Sequence, residues 1–337
     1  MVRTILADGD QTAGSAFLHP ALLHVLRGAE ELGLARFDST AQTMEALLRA
    51  GLTDQPIHGQ WSASLLTTTG FPVEFAWCST TAELRYTLEP GSGVISPHQR
   101  LDLVSQWGKV APFSFELFKE LQHGCSLRYG AWIGVRHQAE QTSYKYYLEI
   151  PINCNRDKIY KRCNDATYPL PTEKSKLTML GIDPKSTHPE FYYQTIDLQP
   201  RDVESLMGCF GIGDRAGELL HTLESLYGWP VYKKLPGKRH GFSYRTGLSQ
   251  EALFTFYLYA CDVFASDAHA RQALLHQGRT REWDTRFYEY VSAPLKHSTR
   301  TRAHGLVGIT LGKTGEAAVS VGLSPLCSIP TSSTISI

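Results

Sequence analysis

The sequence has no long hydrophobic run. No stretch of its 337 residues approaches the roughly 18 apolar residues of a membrane-spanning helix. The opening MVRTILADGDQTAG lacks the apolar core of a secretory signal, so a cytoplasmic protein with no membrane partner is expected. Neither charge is in excess: Lys plus Arg and Asp plus Glu are 33 each. A nucleic-acid binder normally carries a basic stripe, and the short group Lys233, Lys234, Lys238 and Arg239 reads instead as a solvated loop. The seven cysteines are odd in number, scattered and without a C-x-x-C pair, which argues against a disulfide framework and a zinc site. What remains is 42% hydrophobic and 20% charged, the composition of a globular protein with a sizeable core, which excludes disorder and collagen.

Several chemical signatures are also missing. There is no H-E-x-x-H zinc helix, no G-x-S-x-G nucleophile elbow and no D-D-x-x-D cluster of the kind that holds magnesium in all-helical isoprenoid enzymes. GIGDRAG (211–217) is one residue too long for a dinucleotide loop and follows a helical stretch, so it reads as a helix–helix turn. GITLGKT (308–314) imitates a phosphate-binding loop, but the spacing is short and Gly312 to Gly315 reads as a hairpin turn.

Periodicity supplies the architecture. Residues 16–35 and 41–50 carry apolar residues at three- and four-residue spacing and read as helices. Strict alternation then predicts five hairpins: 71–78 with 83–89, 127–135 with 143–151, 177–183 with 190–197, 240–246 with 253–261, and 305–311 with 317–323. Between them, 99–122 is helical with a break or kink at Pro112, 155–165 is a short polar segment, and 201–210, 214–227, 267–277 and 281–292 are helices. Hairpins without βαβ crossovers imply antiparallel neighbours, and ten strands suit one closed barrel inside a ring of helices. A single domain over 1–327 with a flexible tail at 328–337 is expected.

Alternation also sorts the two faces of each strand. If the greasy face meets the helices, the lumen receives Glu74, Arg85, Arg128, Trp132, Lys145, Tyr147, Tyr192, Tyr257 and Arg245, and Thr255 shares the face of Tyr257. Cations among tyrosines, with one carboxylate, suit a polyanion beside an apolar or cationic group. The bland alternative is an open sheet whose polar face meets water, with Glu74 and Arg85 paired across adjacent strands.

GFPVEFAWCSTTAELRYTLEPG (70–91) resembles the first strand pair of the ABBA-type aromatic prenyltransferases, in the indole branch that includes fungal dimethylallyltryptophan synthases and bacterial tryptophan prenyltransferases. Lys145-Tyr146-Tyr147 is similar to that branch's K-x-Y strand, and FTFYLYACDVF to its late strand followed by a helix; the likeness runs from Leu18 to Pro325. The resemblance implies transfer of a dimethylallyl or geranyl group from an allylic diphosphate to an indole-containing small molecule, by a monomer or homodimer. It assigns the diphosphate to Arg85, Lys145, Tyr147, Tyr192, Thr255, Tyr257 and Arg245, with the tyrosine faces shielding an allyl cation. Glu74 would accept the indole N–H. Glu190, Tyr192 and Gln194 stand where the family alternates basic residues with a tyrosine, and Gly322 where a tyrosine is common. Fewer cations leave room for magnesium as a modulator, with no obligatory cofactor. A non-catalytic barrel that binds a hydrophobic anion is the competing reading.

Overall fold

The computed structural model describes residues 17–52, 61, 63–91, 95–107, 115–138, 141–154, 156–163, 174–184, 189–247 and 250–326. The strands are β1 (Val73–Cys78), β2 (Leu84–Leu88), β3 (Ala131–Gln138), β4 (Gln141–Glu149), β5 (Lys176–Ile182), β6 (Glu190–Ile196), β7 (Arg239–Gly247), β8 (Gln250–Tyr259), β9 (His304–Leu311) and β10 (Ala318–Leu323). Each pairs antiparallel with its sequence neighbour, and β1 pairs with β10, with Phe75 opposite Leu323, to close the barrel. The ten strands expected from alternation are all present, and closure removes every open sheet edge.

Helices α1 (Pro20–Glu31), α2 (Phe37–Arg49), α3 (Pro97–Trp107), α4 (Phe115–Gln122), α5 (Arg156–Cys163), α6 (Pro200–Cys209), α7 (Ala216–Tyr227), α8 (Ala260–Val263), α9 (Asp267–Thr280) and α10 (Arg286–Val291) accompany the barrel. Their ends follow local chemistry. Pro20 sits in the first turn of α1, where the His19 ring accepts the Ala21 N–H, and Gly33 at φ +70° lies just past its end, so this helix is shorter than 16–35. Ser266 caps α9 by accepting the His269 N–H at 3.1 Å. The polar segment expected at 155–165 is helix α5 over 156–163, held by Ile159 and Tyr160 packed into the core. The break at Pro112 and the tail at 328–337 lie outside the described residues.

The core is the layer between barrel and helices. Phe75, Tyr86, Ile133, Tyr146, Leu180, Phe191, Phe242, Phe254, Phe256, Ile309 and Val319 point outward from their strands and are essentially fully buried. Burying each such side chain contributes about 1.5–3 kcal/mol, so this face fixes the register and leaves the alternate residues to the lumen. Stacked rings add to this layer: Tyr193 on Phe242 at 4.8 Å, and Phe210 on Tyr244 at 4.2 Å. Gly211 (φ +71°) turns α6 toward α7, as GIGDRAG led us to expect. The Gly312 to Gly315 segment is the β9–β10 turn, and its carbonyls at Gly312, Thr314 and Gly315 accept hydrogen bonds from the Arg215 guanidinium. Lys233, Lys234 and Lys238 are exposed, as expected of a solvated loop, whereas Arg239, also exposed, opens β7 and lies over the Tyr259 ring at 4.4 Å. No helix of the described residues is long and apolar enough to cross a membrane.

Candidate active site

The inward residues enclose a cavity of about 570 Å³. Glu74, Arg85, Trp132, Lys145, Tyr147, Tyr192, Arg245, Thr255 and Tyr257 all line it, so eight of the nine residues expected in the lumen, together with Thr255, are brought together. Arg128 is the exception. It lies in the loop before β3 and is exposed, because the strand begins only at Ala131; its backbone N–H, with those of Tyr129 and Gly130, donates to the Glu149 carboxylate. That carboxylate folds the loop so that Tyr129 stacks on Trp132 at 3.8 Å. Trp132 in turn donates Nε1–H to Glu89, which is paired with Arg100 at 2.8 Å, where β1 begins and β2 ends.

One wall is a polar network across β4 to β8. Lys145 reaches over β5 to Glu190 on β6 and donates to the Tyr192 hydroxyl at 3.0 Å. Its path is open because Gly181 stands between: a Cβ there would lie 2.6 Å from Lys145 Cε and 2.9 Å from the Tyr192 ring. The other Glu190 oxygen accepts from Ser243, whose hydroxyl lies 3.2 Å from that of Tyr257. Burial pushes Glu190 up, but Lys145 and the three hydrogen bonds outweigh it and hold the carboxyl below its ordinary range. Burial, then the Glu190 charge, raises the Tyr192 and Tyr257 phenols, which therefore stay neutral. Lys145 stands 5.4 Å from the ring centroids of both Tyr147 and Tyr192. These rings with Tyr257 form a continuous aromatic surface, at 5.8 Å between Tyr147 and Tyr192 and 6.1 Å between Tyr192 and Tyr257.

Glu74 occupies another position. It faces Thr87 in the β1–β2 register while Arg85 faces Ala76, so the two are not directly opposite; Arg85 pairs with Glu83 instead. The cross-strand pairing offered as the bland reading is not formed, and the closed barrel also replaces the open-sheet alternative. Glu74 accepts no hydrogen bond from the described residues, and burial pushes its carboxyl up to about 7. A carboxylate so placed is a strong acceptor waiting for a donor.

Two cations in the lumen are without a hydrogen-bonding partner among the described residues. Arg245 has its Nε buried and unpaired. Arg136 lines the cavity directly opposite Arg85 in the β2–β3 register; Glu83 compensates Arg85, while Arg136 has no carboxylate partner among the described residues. Sequence reasoning missed Arg136 by ending the third strand at Val135; continuing the alternation from Trp132 one step further would have placed it inward. Ser243 was missed for want of any signal beyond its alternation with Phe242 and Tyr244. Among the described residues no group of three or more His, Cys, Asp or Glu side chains is placed to hold a metal ion.

No protein-family model and no curated protein matches the sequence. Solved structures do match the fold. 5-Dimethylallyl tryptophan synthase from Streptomyces coelicolor, in complex with DMASPP and Trp, is 14% identical over 94% of this chain and 97% of its own, with a TM-score of 0.73. 6-Dimethylallyltryptophan synthase from Micromonospora olivasterospora, in complex with DMASPP and Trp, is 17% identical over 90% of this chain and 96% of its own, with a TM-score of 0.70. AnaPT from Neosartorya fischeri is 13% identical over 91% and 92%, with a TM-score of 0.62. The chain thus has the ten-stranded antiparallel barrel, ringed by helices, of the indole prenyltransferases that its first hairpin resembles.

Proposed function

We propose that the protein transfers a dimethylallyl or geranyl group from an allylic diphosphate to an indole-containing small molecule by electrophilic aromatic substitution. The observation that carries this reading is the half-buried Glu74 carboxylate in the same lumen as a tyrosine surface and two guanidinium groups, all three charges without a partner among the described residues. A non-catalytic anion binder needs the cations but not that carboxylate. The complexes of the two bacterial neighbours with DMASPP and Trp support the same substrate classes.

The steps follow from the residues. Arg85, Arg136, Arg245 and Lys145 bind the diphosphate, and their charge stabilises the negative charge that grows as the allylic C–O bond breaks and the electron pair leaves with the diphosphate. Tyr147, Tyr192 and Tyr257 present neutral ring faces to the allyl cation and keep water from it. Glu74 accepts the indole N–H, which orients the ring and raises its nucleophilicity. A ring carbon then donates its electron pair to the cation to form the new C–C bond, and the ring proton passes to solvent, its C–H electron pair restoring aromaticity. No metal is obligatory in this scheme; a magnesium ion would offset part of the diphosphate charge, with Glu190 the lumen carboxylate beside that anion. Incubation with dimethylallyl and geranyl diphosphates and a panel of indoles, followed by mass spectrometry, is expected to give acceptor carrying one added C5 or C10 unit. Absence of product across the panel, with no diphosphate binding by calorimetry, would remove the enzyme reading.

A further inference from the structure

The Glu74 carboxylate lies in space that two glycines leave open. A Cβ on Gly322 of β10 would stand 2.5 Å from Glu74 Cδ and 2.6 and 2.7 Å from its oxygens; a Cβ on Gly305 of β9 would stand 2.2 Å from Oε1. Both distances are far inside van der Waals contact, so the carboxylate fills the volume that any side chain would need. Neither glycine has a positive φ, so close approach rather than backbone conformation is what requires glycine at both places. The two meet at a bulge in the β9–β10 ladder, where pairing jumps from Val321–Val307 to Leu323–His304. The strand is pinned there from outside. His304 donates its backbone N–H to Asp267 at 3.0 Å, its ring Nδ1 lies 2.7 Å from the same carboxylate, and its Nε2 is hydrogen-bonded to Tyr288 at 2.9 Å.

The same device serves other inward side chains. A Cβ on Gly134 would lie 2.9 Å from the Tyr147 ring, and one on Gly308 would lie 3.1 Å from the Tyr257 ring and 2.8 Å from Ser320 Oγ. Of the charged groups on the neighbouring strands, Arg85 of β2 lines the same lumen but is paired with Glu83, His304 of β9 meets Asp267, and the inward residues Ala318 and Ser320 of β10 carry no charge.

We propose that Gly305 and Gly322 are positioning residues for the reaction described above: the bulge they form is the seat that holds the half-buried Glu74 carboxylate against the barrel wall, facing the acceptor. This rests on the reading of Glu74 as the acceptor's hydrogen-bond partner. In Gly322→Ala the carboxylate has to swing into the lumen. Glu74 is titrated through its carboxyl infrared band, as the difference between each protein and the same protein carrying Glu74→Gln. The wild-type midpoint is expected near 7 and that of Gly322→Ala at least one unit lower. Gly305→Ala, on the other strand, is expected to shift it in the same direction and serves if Gly322→Ala does not fold. Gly308→Ala, which would meet Ser320 and Tyr257 instead, leaves the midpoint in place. In turnover, Gly322→Ala lowers kcat/KM for the acceptor at least tenfold while KM for the diphosphate stays within twofold. Gly308→Ala instead raises the fraction of donor lost as prenyl alcohol, formed when water adds to the allyl cation and a proton leaves. A folded Gly322→Ala or Gly305→Ala with the wild-type midpoint would overturn the seat. Because the titration needs no turnover, absence of prenyl transfer in the wild type would count against the function and leave the seat to be judged on the midpoint.

Discussion

Glu190 is the residue whose removal separates the anion site from the fold. Its carboxylate is the resident counter-ion of Lys145, so a diphosphate that reaches Lys145 comes within roughly 5 Å of a like charge. With an effective dielectric near 20, one unit charge at that distance repels another by about 3 kcal/mol. Lys145 attracts the diphosphate in both proteins, and solvent screening in the open lumen reduces the repulsion from Glu190 to about 1.4 kcal/mol, a tenfold effect, as the gain from Glu190→Gln. The isosteric amide still accepts the Ser243 hydroxyl and keeps the wall in place, but it leaves Lys145 buried without its counter-ion. The variant is therefore expected to melt at a lower temperature than wild type when empty, and to recover more on adding pyrophosphate, because the ligand now supplies the missing negative charge. Calorimetry with inorganic pyrophosphate reads the affinity, and thermal unfolding with and without it reads the linkage. A folded Glu190→Gln that binds pyrophosphate no better than wild type would show instead that the carboxylate does not face the anion.

Further outcomes follow from the same geometry. Arg136→Ala and Arg245→Ala, which remove guanidinium groups without partners among the described residues, should each weaken pyrophosphate binding roughly ten- to a hundredfold, the effect of a charge-assisted hydrogen bond of about 1.5–3 kcal/mol. Calorimetry should give the same range for Arg85→Ala, and a loss at or above its upper end for Lys145→Ala, because that change also leaves Glu190 unpaired. Magnesium should accelerate turnover or redirect its products, with activity persisting in chelator; complete inactivity restored by metal would instead mark a metal enzyme. Asp267, held down to about 2 by its hydrogen bonds from His304, Arg302 and Ala303 despite burial, stabilises the fold above the ordinary carboxylate pKa of 3.8, and that stability is lost as pH falls through 2. Asp267→Asn should therefore cost about 2 kcal/mol in denaturant unfolding at neutral pH and lose the acid-side slope.

The barrel was legible because its outward face is so apolar that alternation could be followed strand by strand, from Phe75 and Tyr86 to Ile309 and Val319. Turns were legible too, through Gly211 and the Gly312 to Gly315 hairpin. The candidate site was legible only as a set of inward residues. Which of them touch depends on side chains that cross a strand, as Lys145 does over Gly181, and no pattern within one strand encodes that reach. Arg128 was misplaced and Arg136 overlooked for one reason, a strand boundary read a few residues too early at each end, because the polar residues flanking β3 blur the alternation. Gly322 was noted only as a missing tyrosine; that its empty volume holds Glu74 emerges from the bulge between β9 and β10.

In the proposed reaction an aromatic ring carbon captures the allyl cation while Glu74 holds the acceptor, and following the ring hydrogen tests both at once. With an indole acceptor deuterated at its ring carbons, the product should carry C5H9 or C10H17 in place of one deuterium, which is lost to solvent. The acceptor kcat/KM should rise with pH toward a limb near 7, since only the Glu74 carboxylate, not its acid, accepts the N–H. Over the same window wild-type stability should fall by about 3 kcal/mol as pH climbs from 4.5 to 7, because the folded state gives up a proton it binds more tightly than the unfolded chain. Glu74→Gln should abolish both pH dependences and slow transfer far more than it weakens diphosphate binding. Full retention of deuterium in the product, or an unchanged rate and pH profile in Glu74→Gln, would contradict the account.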